Sequence, residues 1–387
     1  MLLSLTLIFI GLIIYAYFGY PLFMILISAF VNKNVKKAEN YPAVALVIAA
    51  YNEEDVITQK VNQSLALNYP EEKLKVYVVS DASSDKTDDK VRSINSPRVQ
   101  LIRIEGRLGK TEARNQALKR ITEEIIVFSD ATTEYHPNSV RELVKNFSDS
   151  SVGMVSGQLI YKVPQGSSMG FGQKLFWRFE NIIKTAQTKL GTLTGSLGCM
   201  TAFRRELYTD LPPNIIEDFT GPLLMIQKGY RVVYEKEALC FEEATMKSKQ
   251  EWKMRVRVIR GGMTGLIFAR SILNPFKFPG VSFQLLSHKV SRWLVPVFAI
   301  LALFFNLLDV IVESTSSLSF TLLGLQCLFY LIVVLSFMLE KTNVKAPLLR
   351  IFQYLFVVNL ASLVAIYKIL TTELEATWET ERKGQKA

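Results

Sequence analysis

The chain has 387 residues, of which 49% are hydrophobic, an excess that an ordinary soluble surface cannot hide. Its net charge of +10 could serve nucleic acid. The Lys and Arg residues, however, gather beside apolar runs (Lys33, Lys36, Lys37, Lys289, Arg292) and along 253–260, not beside aromatic pairs, so contact with anionic lipid is expected and nucleic acid is not. Three cysteines without paired spacing and two distant histidines, His136 and His288, argue against a disulfide framework, a zinc site or a histidine-based centre.

In chain order, the first 32 residues carry no charge, and about 20 apolar residues suffice for a helix to cross a bilayer. The run lacks a basic start and a small-residue cleavage site, so it reads as an anchor and not as a signal peptide. Beyond a basic linker, short apolar runs alternate with polar helical stretches. Strands are expected at 43–50, 73–81, 99–104 and 124–130, with helices at 53–67, 87–94 and 111–121. This rhythm predicts an α/β domain with a mostly parallel sheet and helices on both faces. Residues 154–211 look less regular and Gly-rich, and 263–291 mix aromatic, apolar and basic residues as interfacial helices do.

Three further apolar runs follow at 293–312, 318–339 and 351–367. The connection 313–317 has no Lys or Arg, whereas Lys341, Lys345 and Arg350 follow the next run. The positive-inside rule then places the central domain in the cytosol and the start of the chain outside. The last run, bracketed by Arg350 and Lys368 and followed by a tail with Arg382, Lys383 and Lys386, either spans or dips back. The expected organisation is a membrane helix at 1–31, a catalytic domain at 41–262, interfacial helices at 263–291, membrane helices at 292–370 and a tail at 371–387.

Four acid-bearing motifs carry the chemistry. Tyr51-Asn52-Glu53, Val79-Ser80-Asp81 and Phe128-Ser129-Asp130 each close an apolar run, and Glu217-Asp218 opens one. In parallel sheets ligands bind outside the carboxyl ends of strands, which is where Glu53, Asp81 and Asp130 fall. Asp130 could share a divalent ion with a diphosphate, since magnesium takes one or two carboxylates plus phosphate oxygens and water; the alternative is an aspartate that starts a turn. Asp218 is placed to take a proton, or else to interact with the helix dipole. Gly109-Lys110-Thr111 mimics the end of a P-loop, but the first glycine of that pattern would be position 104, which is Ile104.

In this order and spacing, residues from about 43 to 262 resemble a membrane-bound family 2 glycosyltransferase with a GT-A fold, as in bacterial exopolysaccharide and capsule enzymes. The resemblance implies that Tyr51, Asn52 and Glu53 border the nucleotide pocket and that Asp81 recognises the base. It sets Lys110 beside the diphosphate and makes Asp130 the first acid of an Asp-x-Asp motif whose second acid is replaced by Thr132, with Glu134 a possible substitute. The implied cofactor is Mg2+ or Mn2+, and the implied base is Asp218. Gly198 and Glu217 fall on the acceptor side, Glu217 either contacting the acceptor or orienting the helix start.

Arg257 takes the arginine position of a Gln-x-x-Arg-Trp motif in which Met254 and Val258 replace the glutamine and the tryptophan. Guanidinium suits phosphate geometry, so Arg257 would neutralise the leaving diphosphate, while Arg255 and Arg260 are open to a lipid-surface reading. The resemblance thus implies an inverting enzyme of the plasma membrane that moves a sugar from a nucleotide-sugar, a UDP-sugar foremost, to a lipid-linked or polysaccharide acceptor. Loss of the tryptophan points to single-sugar addition. The rivals are a processive polysaccharide synthase and a catalytically silent nucleotide-binding membrane scaffold.

Overall fold

The computed structural model describes residues 1–164, 167, 169–313, 316–340, 342 and 346–372. The basic residues Lys341, Lys345, Arg382, Lys383 and Lys386, and nearly all of the expected tail, lie outside them. Eight strands form one sheet: β1 (Val44–Ala50), β2 (Leu74–Asp81), β3 (Val99–Ile104), β4 (Ile125–Asp130), β5 (Glu134–Tyr135), β6 (Val152–Lys162), β7 (Met200–Arg204) and β8 (Arg231–Glu243). Their order is β3-β2-β1-β4-β7-β6-β8-β5. The first four in this order are parallel, β7 is antiparallel to β4 and β6, and β6 pairs with β8 in parallel.

Both faces of the sheet are covered, which is why its strands read as continuous apolar runs rather than alternating ones. Val44, Leu46 and Ile48 pack on one side with Ile57, Val61, Val140 and Leu143. Ala45 and Val47 pack on the other with Ala113, Ala117 and Leu223. The sheet reverses its winding between β1 and β4, and the crevice beyond their carboxyl ends is the natural ligand position. Residues 154–211, expected to be irregular, contain a 21-residue helix, Gly170–Leu190. On its buried side Gln173, Glu180 and Gln187 meet Thr245, His288 and Tyr20, partners far away in sequence.

Four helical stretches are long and apolar enough to cross a membrane: Leu2–Phe30, Pro279–Val312, Ser317–Glu340 and Pro347–Thr371. Asp309, buried within the second, accepts from the Leu3 backbone N–H at 3.1 Å and from Ser319 Oγ at 2.5 Å. It therefore ties three helices together at a depth where an unpartnered acid would be costly. Arg350 donates to the Ser336 and Leu339 carbonyls at 2.8 and 2.9 Å, so its charge sits on the carbonyl end of the preceding helix.

The last helix, Pro347–Thr371, packs along the basic helix Ser248–Phe268. Near its start Tyr354 OH accepts from Arg255 at 2.6 Å, and just past its end the Thr372 carbonyl accepts from Arg260 at 2.5 Å. Ala361 and Ala365 lie against Val256 and Ile259 between these contacts. Arg255 also donates to Glu251 Oε1 at 2.7 Å, and Gly172 leaves room for the Tyr354 ring, where a Cβ would come within 2.6 Å. Arg255 is accordingly a buried clamp between the α/β unit and the helical segment rather than a lipid contact.

Candidate functional site

The loops after β1 and β2 are knitted to each other. Asn52, at φ +53°, occupies the left-handed region that Asn tolerates. Its Oδ1 accepts from the Ser84 N–H at 2.7 Å and its own N–H donates to Ser83 Oγ at 3.1 Å. The Glu53 N–H donates to Thr87 Oγ1 at 2.8 Å. The Tyr51 ring lies under the Arg107 guanidinium, 4.1 Å from its centroid. Asn52 thus acts through the loop framework, whereas Tyr51 and Glu53 line the cleft.

Asp81 also lines the cleft, yet both of its carboxylate oxygens accept backbone N–H groups, from Leu108 at 2.8 Å and Gly109 at 2.9 Å. It holds the turn that launches the helix Lys110–Leu118, and Gly109 supplies the φ of +92° that the turn needs. The expected contact with a base would therefore be made from a carboxylate already committed to this loop.

Charges converge one turn further on. Lys110 Nζ donates to Asp130 Oδ1 at 2.5 Å at the end of β4. Arg114 lies four residues on, on the same face of its helix, and is fully buried. It donates to Glu217, to the Ser129 carbonyl at 3.1 Å and to Asp130 Oδ1 at 3.5 Å, with its guanidinium 4.1 Å from the Phe128 ring centroid. Sequence reasoning did not assign Arg114; its i, i+4 relation to Lys110 was the available signal. Glu217, taken as an acceptor contact or a helix orienter, has one oxygen on Arg114, while its other oxygen has no hydrogen-bond partner among the described residues and Glu217 lines the cleft.

Asp218 is held from several sides. Its carbonyl accepts from the Ser196 N–H and Oγ at 2.8 and 2.9 Å, and the Ile215 carbonyl accepts from Thr111 Oγ1 at 2.9 Å. Its carboxylate faces the cleft with Gly198 beside it. Burial raises its pKa; Lys110 opposes, Asp130 adds to the rise, and Arg114 and Arg257 oppose again. Burial likewise lowers the Lys110 ammonium below its ordinary value, with Arg114 adding to the fall. Arg257 lines the same cleft on the exposed side of its helix.

A Cβ on Gly198 would stand 3.3 Å from Asp218 Oδ2. Gly198→Ala should therefore press the carboxylate out of place. The shift asked for is a few tenths of an ångström, well short of the about 1 Å that costs a reacting group on the order of 100-fold, so any activity that depends on Asp218 is expected to fall only severalfold while melting temperature barely changes. Steady-state kinetics beside a thermal melt check this; unchanged turnover would separate Gly198 from the placement of Asp218.

Glu134, the possible substitute for the second metal acid, sits on β5 at the sheet edge, paired with Lys162 at 2.5 Å and outside the cleft lining. Among the described residues no group of three or more His, Cys, Asp or Glu could hold a metal ion. Asp130 remains, its side chain about one-third exposed (34%) with the Lys110 ammonium against it. The ammonium and Arg114 both sit on Oδ1, so a divalent ion there would have to displace them or use the other oxygen, and would draw its remaining ligands from phosphate oxygens and water. Cys199 and Cys240 are buried thiols whose Sγ atoms lie 4.0 Å apart.

The cleft measures about 940 Å³ and extends from Tyr51 and Asp81 past Asp218 to Glu180, Arg292 and Tyr354, among the apolar helices. Sequence reasoning missed this far end. His288 and Glu180 are 108 residues apart, and no local pattern announces that they meet at 3.2 Å.

A family model described as glycosyl transferase family 2 matches residues 45–211. The poly-beta-1,6-N-acetyl-D-glucosamine synthase of Staphylococcus aureus (strain MSSA476) is 27% identical over 226 residues, covering 57% of this chain and 54% of that protein. The synthase of the same name from Staphylococcus epidermidis is 24% identical over the same length. The chain thus spans about half the length of the curated relatives it matches. Among solved structures, the mannosyltransferase PcManGT from Pyrobaculum calidifontis, in complex with GDP-Man and Mn2+, superposes with a TM-score of 0.72 at 23% identity. That match covers 95% of this chain and 99% of the other, which shows a shared fold along nearly the whole length.

Proposed function

We propose that the protein is a membrane-bound inverting glycosyltransferase, a reading supported by the match of residues 45–211 to the glycosyl transferase family 2 model and by the fold shared with the solved mannosyltransferase. It moves a sugar from a nucleotide-sugar to a lipid-linked or polysaccharide acceptor. The observation that carries this reading is the meeting of Asp218, with its raised pKa, and the Lys110–Asp130 pair in one cleft that continues among the apolar helices. Asp218 takes the proton of the acceptor hydroxyl as that oxygen attacks the anomeric carbon. One displacement breaks the bond to the diphosphate and inverts the centre. Lys110 and Arg257 meet the negative charge that builds on the leaving group, where fixed cations act most strongly. Asp130 would hold a divalent ion, Mg2+ or Mn2+, which supplies charge neutralisation at the diphosphate when bound.

The names of the relatives make UDP-N-acetylglucosamine the first donor to test, and the solved neighbour makes GDP-mannose the second. Val258 in place of a tryptophan favours single-sugar addition. The long cleft favours the processive alternative, and product length separates the two. We place the α/β domain on the cytosolic side of a plasma membrane. Contacts of the last helix with the basic helix at both ends favour its lying in the interface after three spans, which keeps the tail on the cytosolic side.

The test is release of nucleotide from a donor panel by detergent-purified protein with membrane lipid extract. Turnover of one donor that requires lipid supports the reading, and silence across the panel with nucleotide still bound supports the scaffold. In the same assay Asp130→Ala should weaken donor binding about tenfold with Mg2+ or Mn2+ present and much less in EDTA, loss of a charge-assisted contact being worth roughly 1.5–3 kcal/mol. Identical behaviour with and without metal would remove the ion-holding role.

A further inference from the structure

At the far end of the cleft the helix Gly170–Leu190 meets the start of the stretch Pro279–Val312. Glu180, buried there, accepts from Arg292, pairs with His288 Nε2 at 3.2 Å and lies 3.7 Å from Lys289 Nζ. One turn along the same helix is Lys184, 7% exposed and lining the cleft. Its Nζ has no hydrogen-bond partner among the described residues; it lies 4.7 Å from the Trp177 ring centroid and 5.6 Å from that of Tyr234. Burial pushes its ammonium down to about 8. The buried Lys184 and the part-buried Lys289 and Arg292 thus share one carboxylate, and charge held out of water without compensation is costly until a counter-ion arrives.

Position narrows what that counter-ion is. Lys289 and Arg292 immediately precede the apolar run that begins at Trp293, which is the headgroup level of a bilayer if the run spans it. Lys289 is also close enough to Asp218 for the two charges to interact. We infer that Lys184, Lys289 and Arg292 form an anion subsite for the phosphate or diphosphate of a lipid-linked acceptor. The inference rests on the glycosyl-transfer reading for the word acceptor and on the buried cations for the anion. The phosphate would anchor the acceptor at the membrane edge while its hydroxyl reaches Asp218. Glu180 would keep the cations in place, so it is a positioning residue.

The full chain, in nanodiscs of phosphatidylcholine, is titrated with radiolabelled polyprenyl phosphate, the matched polyprenol and phosphatidic acid. Nucleotide-sugar binding is measured in parallel. The phosphate is expected to bind at least about tenfold more tightly than the alcohol and than phosphatidic acid, and Lys184→Met or Lys289→Met should each reduce that preference about tenfold. Nucleotide-sugar binding should persist in both variants, and Lys184→Arg should retain the preference. Equal binding of phosphate and alcohol by the unsubstituted chain overturns the subsite and leaves the proposed activity standing. Phosphatidic acid matching polyprenyl phosphate overturns the acceptor assignment. A phosphate preference in a chain that neither binds nor cleaves a nucleotide-sugar supports the lipid-phosphate site and overturns the activity. If a Met variant loses nucleotide binding as well, the comparison of the three lipids on the unsubstituted chain decides.

Discussion

Asp218→Asn is expected to abolish sugar transfer while leaving nucleotide binding nearly intact. The amide keeps the shape of the carboxylate beside Gly198 but cannot take a proton. Positioned general bases contribute about 10²–10⁴-fold, so the loss should be of that order or larger. The pH profile offers an independent reading. Burial raises the Asp218 pKa above its ordinary 3.8, so the acid limb of kcat/KM should lie above that value, with activity lost as pH falls through it. Stability should move the other way. A folded-state pKa above the unfolded one means that folding takes up a proton here, so the ionised carboxylate subtracts stability once pH exceeds 3.8. The permanently neutral Asn should therefore melt no lower than the parent. A fully active variant would end the base assignment.

Arg114→Met is expected to destabilise the domain more than any cleft substitution. The guanidinium is fully buried and joins β4 to the helix that carries Glu217 and Asp218. Removing one partner of a buried pair costs roughly 3–5 kcal/mol, because the other charge is left without compensation. Glu217 would be that stranded charge, so Arg114→Met combined with Glu217→Gln should recover part of the loss. Thermal melts of the single and double variants test this. A single variant that melts like the parent would show that the pair is dispensable. Arg114→Lys should also fall short, since an ammonium cannot reach Glu217, the Ser129 carbonyl and Asp130 together.

The residues of the candidate site differed in how far they could be read in advance. Asp81, Asp130 and Asp218 were visible because each sits at the end or start of an apolar run, and sheet geometry puts such positions at one edge. Glu217 was visible as a residue with two possible roles but not with its partner Arg114, which lies 103 positions away. The basic run 253–260 was visible as charge, yet Arg255 turned inward to Tyr354 while Arg257 lines the cleft. Positions two apart on a helix diverge by about 200°, so two residues of one cluster can meet opposite environments.

By itself the sequence determined the strand and helix rhythm, the mostly parallel sheet, the apolar stretches and the order of the acid motifs. All of these are local signals: period, run length and residue type at an element's end. Only the tertiary structure decided that Asp81 is occupied by the loop it supports, that Arg114 is the hub behind Asp218, that the last helix lies along the basic helix, and that Glu180 pairs with Arg292 where Lys184 lines the same cleft. Each depends on partners brought together from distant positions, and the energy of a buried charge is set by those partners rather than by its neighbours in the chain.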